Sequence, residues 1–243
     1  GSEFMKQTAL PTNETSPQVK GVPQPPLELP IPEGSQLIPL PPVSTLNIPL
    51  LDLRQAIEQR RSVRSYAEDP ISLEELSFLL WCTQGVIKVS KRPATQRTVP
   101  SAGARHAFET FILANRVTGL KPGLYRFAAI EHALLPVNLL GNIGTHLQEA
   151  SLDQEMITRG AVAFFWTAVE ERMTWRYNQR GYRYLHLDAG HVCQNLYLAA
   201  QAVNCGVCAI AAFSDELLNK ALGVDGERQF AVYAASCGKR LPA

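Results

Sequence analysis

The spacing of apolar positions changes several times along the chain, and each change predicts an element. Leu53, Ala56 and Ile57 recur at helical spacing and Arg60-Arg61 follows, which predicts a short helix over 51–61 with one apolar face. Ser72-Leu73-Glu74-Glu75 is a capping box, in which the hydroxyl and the carboxylate three residues on each satisfy a backbone N–H. It opens a helix through Leu76, Leu79 and Leu80 to Gln84, ended by Gly85. The Lys, Arg, Ser and Thr that follow predict a loop as far as Pro100. Strands are expected at Glu109–Ala114 and Leu124–Phe127, and a helix at Ile143–Ala150. The uncharged run Ala161–Val169 predicts a central strand, apolar on both faces. From Tyr184 to Asn204 apolar residues lie almost all round a helical wheel, which predicts a long helix buried in a core or a subunit interface. Gly206–Ala211 and Phe230–Ser236 read as strands, with a helix capped by Ser214 between them. Strands and helices do not alternate in a βαβ rhythm. The expected class is α+β with a mostly antiparallel sheet.

Proline divides the chain. Eleven of the 17 prolines lie in the first 49 residues, which separates an extension (5–49) from a body (50–243). Gly1-Ser2-Glu3-Phe4, ahead of Met5, reads as a cloning remnant. Proline fixes φ and disfavours helix in the residue before it, so the extension should be extended. Its first ~20 residues are expected to be mobile. The later ones, with Leu27, Leu29, Ile31, Leu37, Ile38 and Leu40 set between prolines, should lie along the body or a partner subunit.

Composition narrows the functional classes. A hydrophobic content of 46% supports a full core, and a net charge of +1 supplies no field for general nucleic-acid binding. No apolar run reaches the ~18 residues of a membrane span. Five cysteines without framework spacing point to free thiols and a cytoplasmic setting. Cys205-Gly206-Val207-Cys208 has no second ligand pair at zinc spacing, and it closes a helix instead of opening one. It therefore reads mainly as buried thiols, and no metal site is expected.

Four stretches carry candidate chemistry. Arg60-Arg61-Ser62-Val63-Arg64 packs three guanidiniums and a hydroxyl at a helix end, which suits a phosphate, although a solvated cluster at a helix C-terminus has the same composition. Pro100-Ser101-Ala102-Gly103 has small side chains that let backbone approach a flat ligand. Lys239-Arg240 follows the last strand, either as a solubilising tail or as further phosphate ligands. Trp175 to Tyr184 alternates aromatic and Arg residues, and includes Tyr177, a phenol able to move a proton beside Arg176. His132, His146 and His186 have no partner at ligand spacing and read as surface or capping residues.

Taken in order, these stretches resemble the nitroreductase family of FMN-dependent oxidoreductases, and within it the SagB/ThcOx-type dehydrogenases. Further marks are Leu79-Leu80-Trp81-Cys82-Thr83-Gln84-Gly85, Gly123-Leu124-Tyr125, and Asp188-Ala189-Gly190-His191 running on to Gln194-Asn195. The resemblance implies an α+β homodimer, with the long helix at the dimer interface and two FMN sites lined by both subunits. It implies that Arg60, Arg61, Ser62 and Arg64 hold the phosphate and the pyrimidine edge, and that Pro100, Ser101, Ala102 and Gly103 reach the flavin of the other subunit. It places Ala209, Ile210, Ala211 and Ala212 near flavin N5 and O4, and Lys239 and Arg240 on the phosphate. The related azoline dehydrogenases carry a Lys-Tyr pair as acid/base. Here Arg176-Tyr177 stands in its place, and Arg cannot serve as a base. The expected activity is hydride transfer between flavin N5 and a small organic or peptide-derived substrate, with a cyclodehydratase acting in trans as an expected partner. The alternatives are an NAD(P)H-dependent nitro or quinone reductase and a non-catalytic flavin-binding subunit or sensor.

Overall fold

A computed structural model describes residues 1–11, 14–91 and 93–242. The elements run α1 (Ser2–Gln7), β1 (Ile38–Pro39), α2 (Leu53–Gln59), α3 (Leu73–Gln84), β2 (Val86–Val89), β3 (Thr95–Arg97), β4 (Phe108–Ala114), β5 (Gly123–Ala128) and β6 (Ala133–Asn138). They continue with α4 (Ile143–Ala150), α5 (Met156–Arg159), β7 (Val162–Val169), α6 (Glu170–Tyr177), α7 (Arg180–Ala202), β8 (Cys205–Ile210), α8 (Asp215–Leu222) and β9 (Gln229–Lys239). Seven strands form one sheet in the order β1-β6-β5-β4-β7-β9-β8, and every adjacent pair is antiparallel. This is the expected α+β class, with helices on both faces of the sheet.

The strand period distributes the core. All eight residues of β7 are buried between β4 and β9. Phe164, Trp166 and Ala168 join a core shared with α3 and α7, whereas Ala163 and Phe165 join a second core under α4, α5 and α8. Alternation at period two thus feeds both layers from one uncharged run. Each of these fully buried aromatic side chains contributes roughly 1.5–3 kcal/mol.

Several elements differ from the sequence reading. The expected loop before Pro100 contains the β2/β3 hairpin, with Val89 opposite Thr95. Strands β1 and β6 were not anticipated, and β9 continues to Lys239, so the basic pair does not form a free tail. The aromatic–Arg stretch is helical: α6 begins with Glu170 and Glu171, whose charges suit a helix N-terminus, and breaks at Asn178 (φ +47°) before α7 starts at Arg180. Leu53 and Ile57 do not face the body. They are 65% and 56% exposed, and Ala56 alone is buried, because α2 meets α7 through its smallest side chain. The long helix is not buried all round. Gly181, Leu185, Asp188, Ala189, Val192, Cys193, Leu196, Ala199 and Ala200 form one buried stripe, while Leu187, His191 and Gln194 are exposed. His132 is half-buried and shares a 2.7 Å hydrogen bond with Ser77.

The N-terminal segment crosses the body. Leu29 N–H donates to Glu109 Oε1 (2.8 Å), Arg126 Nη2 donates to the Leu29 and Pro30 carbonyls (3.1 and 3.0 Å), and Arg172 Nε donates to the Pro26 carbonyl (2.8 Å). Residues expected to be mobile also have contacts. Thr8 is buried, its carbonyl accepts from Arg180 Nη1 (2.7 Å), and its hydroxyl accepts from Arg183.

Candidate functional site

The Arg60–Arg64 segment follows α2 and joins the sheet edge. Asp52 caps the helix, and Arg61 Nη1 donates to the Glu58 and Arg60 carbonyls (2.9 and 2.8 Å) at its end. Ser62 then pairs in parallel with Val207 of β8, and Val63 N–H donates to the Val207 carbonyl (2.9 Å). Gly206 is required there, because a Cβ would lie 2.5 Å from Val63 Cβ. Beneath the segment, Tyr66 shares a 2.6 Å hydrogen bond with Ser236.

Tyr197, which the sequence reading did not single out, organises this region. Its hydroxyl shares a 3.0 Å hydrogen bond with Ser62 and accepts from Ala209 N–H (2.9 Å). The Arg60 guanidinium sits over its ring, 5.3 Å from the centroid. Arg64 lies close enough to Cys208 to oppose the upward push that burial gives that thiol. Arg240 Nε donates to the Cys205 carbonyl (3.2 Å), two residues before Val207. Among the described residues, none of Arg60, Arg61, Arg64 or Arg240 is in an ion pair. Arginines outside ion pairs among the described residues, on either side of a serine hydroxyl in the chain, suit a dianionic phosphate.

Three of the expected cofactor residues fit less well. Lys239 Nζ is held by Glu75 (2.5 Å) and by the Val203 carbonyl (2.9 Å), so its charge is compensated. The Ala209 N–H is already taken by Tyr197. Ile210 is buried in the second core, whereas Ala211 and Ala212 are exposed. Period two separates Cys205 from Cys208 onto opposite faces of β8, and both are buried free thiols.

The Pro100–Gly103 loop lies elsewhere on α7. It makes a tight turn with Gly103 (φ +57°), Ala104 (φ +53°) and His106 (φ +43°) all left-handed. Such a conformation persists only where its surroundings fix it. Asp188 supplies part of that: it is 5% exposed, and its Oδ1 accepts from Ala102 N–H (3.3 Å). Burial raises the Asp188 carboxyl above its usual range, and hydrogen bonds from Ser101 and Ala102 oppose the rise. Ser101 Oγ accepts from His106 N–H (2.9 Å). Pro100 is exposed, which leaves the loop tip accessible.

Arg176 and Tyr177 end α6 directly against this loop. A Cβ on Gly103 would meet the Tyr177 hydroxyl at 2.4 Å and Arg176 Cδ at 3.1 Å, so glycine is what lets the phenol approach the backbone. Tyr177 stands edge-on to Tyr184 (4.9 Å between centroids), and the Arg176 guanidinium lies 5.6 Å from the Tyr177 ring centre. The structure therefore joins Arg176, Tyr177 and Gly103, but not to the Arg60 group. One cluster contacts α7 at Tyr184, the other at Tyr197. Thirteen residues separate those positions, about 20 Å along a helix axis.

The profile of the nitroreductase family matches residues 57–239. The chain belongs to the nitroreductase family. Its relatives include MJ1384 of Methanocaldococcus jannaschii, which bears a provisional nitroreductase name. That protein is 34% identical over 174 residues, covering 72% of this chain and 85% of its own. The trifolitoxin-processing protein TfxB of Rhizobium leguminosarum bv. trifolii is 28% identical over 134 residues, covering 54% of this chain and 36% of its own. Among solved structures, a nitroreductase-named protein of Anabaena variabilis superposes with a TM-score of 0.70 at 28% identity, covering 86% of this chain and 42% of its own. The nitroreductase chain described here thus spans less than half the length of the TfxB and Anabaena proteins. A Desulfovibrio desulfuricans structure solved with FMN shares the fold at 19% identity (TM-score 0.57), covering 80% of this chain and 89% of its own. Among the described residues no helix is long and apolar enough to cross a membrane, and no group of three or more His, Cys, Asp or Glu is placed to hold a metal ion.

Proposed function

We propose that this nitroreductase-family oxidoreductase binds FMN in a site shared between two copies of the chain and works as a SagB-type dehydrogenase. The separation of the two clusters along α7 carries the reading. Arg60, Ser62, Arg64 and Arg240 form a phosphate-binding end, whereas Gly103, Arg176 and Tyr177 form a second end about 20 Å away along the helix. A second copy packed with its α7 alongside would bring its loop end to the first copy's phosphate end. The exposed face of α7, with Leu187, and the exposed Leu53 and Ile57 of α2 supply apolar surface for that packing.

Bound FMN would supply hydride acceptance or donation. The protein's residues have separate tasks. Arg60 and Arg64 neutralise the phosphate, and Ser62, aligned by Tyr197, adds a hydrogen bond. Tyr197 would release Ala209 N–H if that donor turned to the ring. Tyr177 accepts or donates the substrate proton. Arg176, whose guanidinium lies 5.6 Å from the Tyr177 ring centre, offers a fork of N–H donors to a carboxylate of the substrate. Similarity to the trifolitoxin-processing protein TfxB supports the processing-enzyme branch, while the provisional nitroreductase name of MJ1384 supports the reductase reading. Anaerobic mixing of the purified protein with NADH, NADPH and an azoline-containing peptide separates the two. Flavin reduction by the peptide is expected. Reduction by a nicotinamide alone would establish the reductase reading, and a colourless protein that cannot be loaded with FMN would remove both.

A further inference from the structure

Gly103 is exposed, and two arginine side chains meet it. Arg105 Nε donates to the Gly103 carbonyl (3.1 Å). A Cβ on Gly103 would lie 3.1 Å from Arg176 Cδ and 3.2 Å from Arg176 Nε, and it would run into the Tyr177 hydroxyl. Two cations and a phenol therefore share one backbone position that has no side chain of its own. We propose that Arg105 and Arg176 form a two-armed clamp that holds a carboxylate of the substrate at Gly103, beside the Tyr177 hydroxyl. The proposal rests on the reading of Tyr177 as the residue that handles the substrate proton.

The arms have no counter-charge from the protein. Among the described residues neither Arg105 nor Arg176 is in an ion pair. Asp188, the carboxylate that holds this loop, is buried and accepts from Ala102 N–H. Glu170, in the first turn of α6, accepts from the Thr174 hydroxyl. Burial, and then Arg176, push the Arg105 guanidinium below its ordinary range, so the two cations are close enough to repel. Like charges held together raise the energy of the free protein, and a bound anion relieves that repulsion.

Both arms suit a planar oxyanion. Arg105 is fixed twice, because its Nε is spent on the Gly103 carbonyl and its guanidinium lies 5.3 Å from the Trp175 ring centre. Trp175 is itself tied by Nε1 to the Val22 carbonyl (2.8 Å). The two terminal nitrogens of Arg105 are left to meet a ligand. Arg176 makes no side-chain hydrogen bond among the described residues, so its whole fork is available. A guanidinium fork matches the two oxygens of a carboxylate, and an arm that is already fixed loses little freedom on binding. An amine at the same place would meet two like charges. The clamp is also distinct from the Arg60 group, so cofactor phosphate and substrate carboxylate would each have a cationic end of their own.

The test is calorimetric titration of the FMN-loaded full chain, at low ionic strength, with benzoate and with benzamide, which share a ring and differ in charge. Benzoate should bind at least ten-fold more tightly. Arg105→Gln and Arg176→Gln should each weaken benzoate ten-fold or more and leave benzamide unchanged. Arg176→Gln is the cleaner variant, since Arg105→Gln also frees the Gly103 carbonyl. Benzoate binding no tighter than benzamide, or unchanged in Arg176→Gln, overturns the clamp and makes the pair a solvated surface. Benzoate should also inhibit turnover of an azoline-containing peptide competitively, and non-competitive inhibition would put the anion outside the substrate's place. FMN affinity, read by fluorescence, separates the two sources of an anion. It should stay within about three-fold in both variants. A ten-fold loss would assign the arginines to the cofactor's phosphate and overturn the substrate clamp. Failure of the underlying reading has a different signature: Tyr177→Phe would turn over at the wild-type rate while benzoate binding still depended on both arginines.

Discussion

Arg172 and Glu109 form an ion pair inside the protein, with Nη2 to Oε1 at 2.6 Å and both side chains almost wholly buried. The pair ties the first turns of α6 to β4. Through the Pro26 carbonyl and the Leu29 N–H it also holds the N-terminal segment. Replacing Glu109 by Leu would leave the guanidinium buried without its partner, a loss of about 3–5 kcal/mol. Urea unfolding of Glu109→Leu should show that loss, and a change below about 1 kcal/mol would mean that water replaces the carboxylate.

Glu28 and His106 should give stability opposite slopes against pH. Burial, reinforced by Glu109, pushes the Glu28 carboxyl up to about 7. Between its ordinary value of 4.5 and about 7 the folded state holds more protons than the unfolded state, so its contribution is full below 4.5 and is lost as pH rises towards 7. His106 is the reverse. Burial and then Arg97 hold it down at about 3, so its contribution is full above 6.5 and is lost as pH falls towards 3. The two partly cancel between 4.5 and 6.5. Glu28→Gln should therefore unmask a stability that climbs with pH, measured by unfolding at pH 5 to 8. A curve parallel to wild type would place Glu28 in water.

The cations near Ser62 should not be equivalent to Lys239. Arg60→Ala or Arg64→Ala removes a charged phosphate partner and should weaken FMN by about 1.5–3 kcal/mol, roughly ten- to a hundred-fold in Kd. Lys239→Met should leave FMN affinity within about three-fold and lower stability instead, because its ammonium serves Glu75. Fluorescence titration of the apoprotein reads both, and equal losses at all three positions would show that Lys239 changes partner when the cofactor binds.

Tyr177→Phe should lower turnover by about 10²- to 10⁴-fold while leaving FMN bound, since the variant loses only the transferable proton. Gly103→Ala should reproduce much of that loss with the phenol still present, because its methyl would occupy the place of the Tyr177 hydroxyl at a left-handed φ. A Gly103→Ala enzyme at wild-type rate would separate the loop from the reaction.

Some of this was legible in the chain because its causes are local. The Ser72 capping box, the Ser214 cap and the span Ile143–Ala150 appear in the structure as read, since each depends on a few adjacent residues. The run Ala161–Val169 could be placed at the sheet centre because only a strand covered on both faces tolerates so few polar atoms. The Arg60–Arg64 segment was visible from composition alone, and its neighbours were not.

What the chain could not show are relationships between segments far apart in sequence. Nothing near Tyr197 marks it as the link between Ser62, 135 residues away, and Ala209. Lys239 looks like a free cation until the fold sets it beside Glu75, and the later N-terminal residues, expected along the body or a partner subunit, are tied to the body by the buried Arg126 that holds the Leu29 and Pro30 carbonyls. Helix α6 was hidden because its Arg and aromatic side chains carry a weak apolar stripe, and packing on α7 decides its shape. Local propensity and period two or 3.6 therefore fixed α2, α3, α4, α7, α8, β4, β5, β7, β8, β9 and the α+β class. Tertiary structure alone decided which charges are compensated and which backbone donors are already taken, because both depend on what the fold places within about 3 Å.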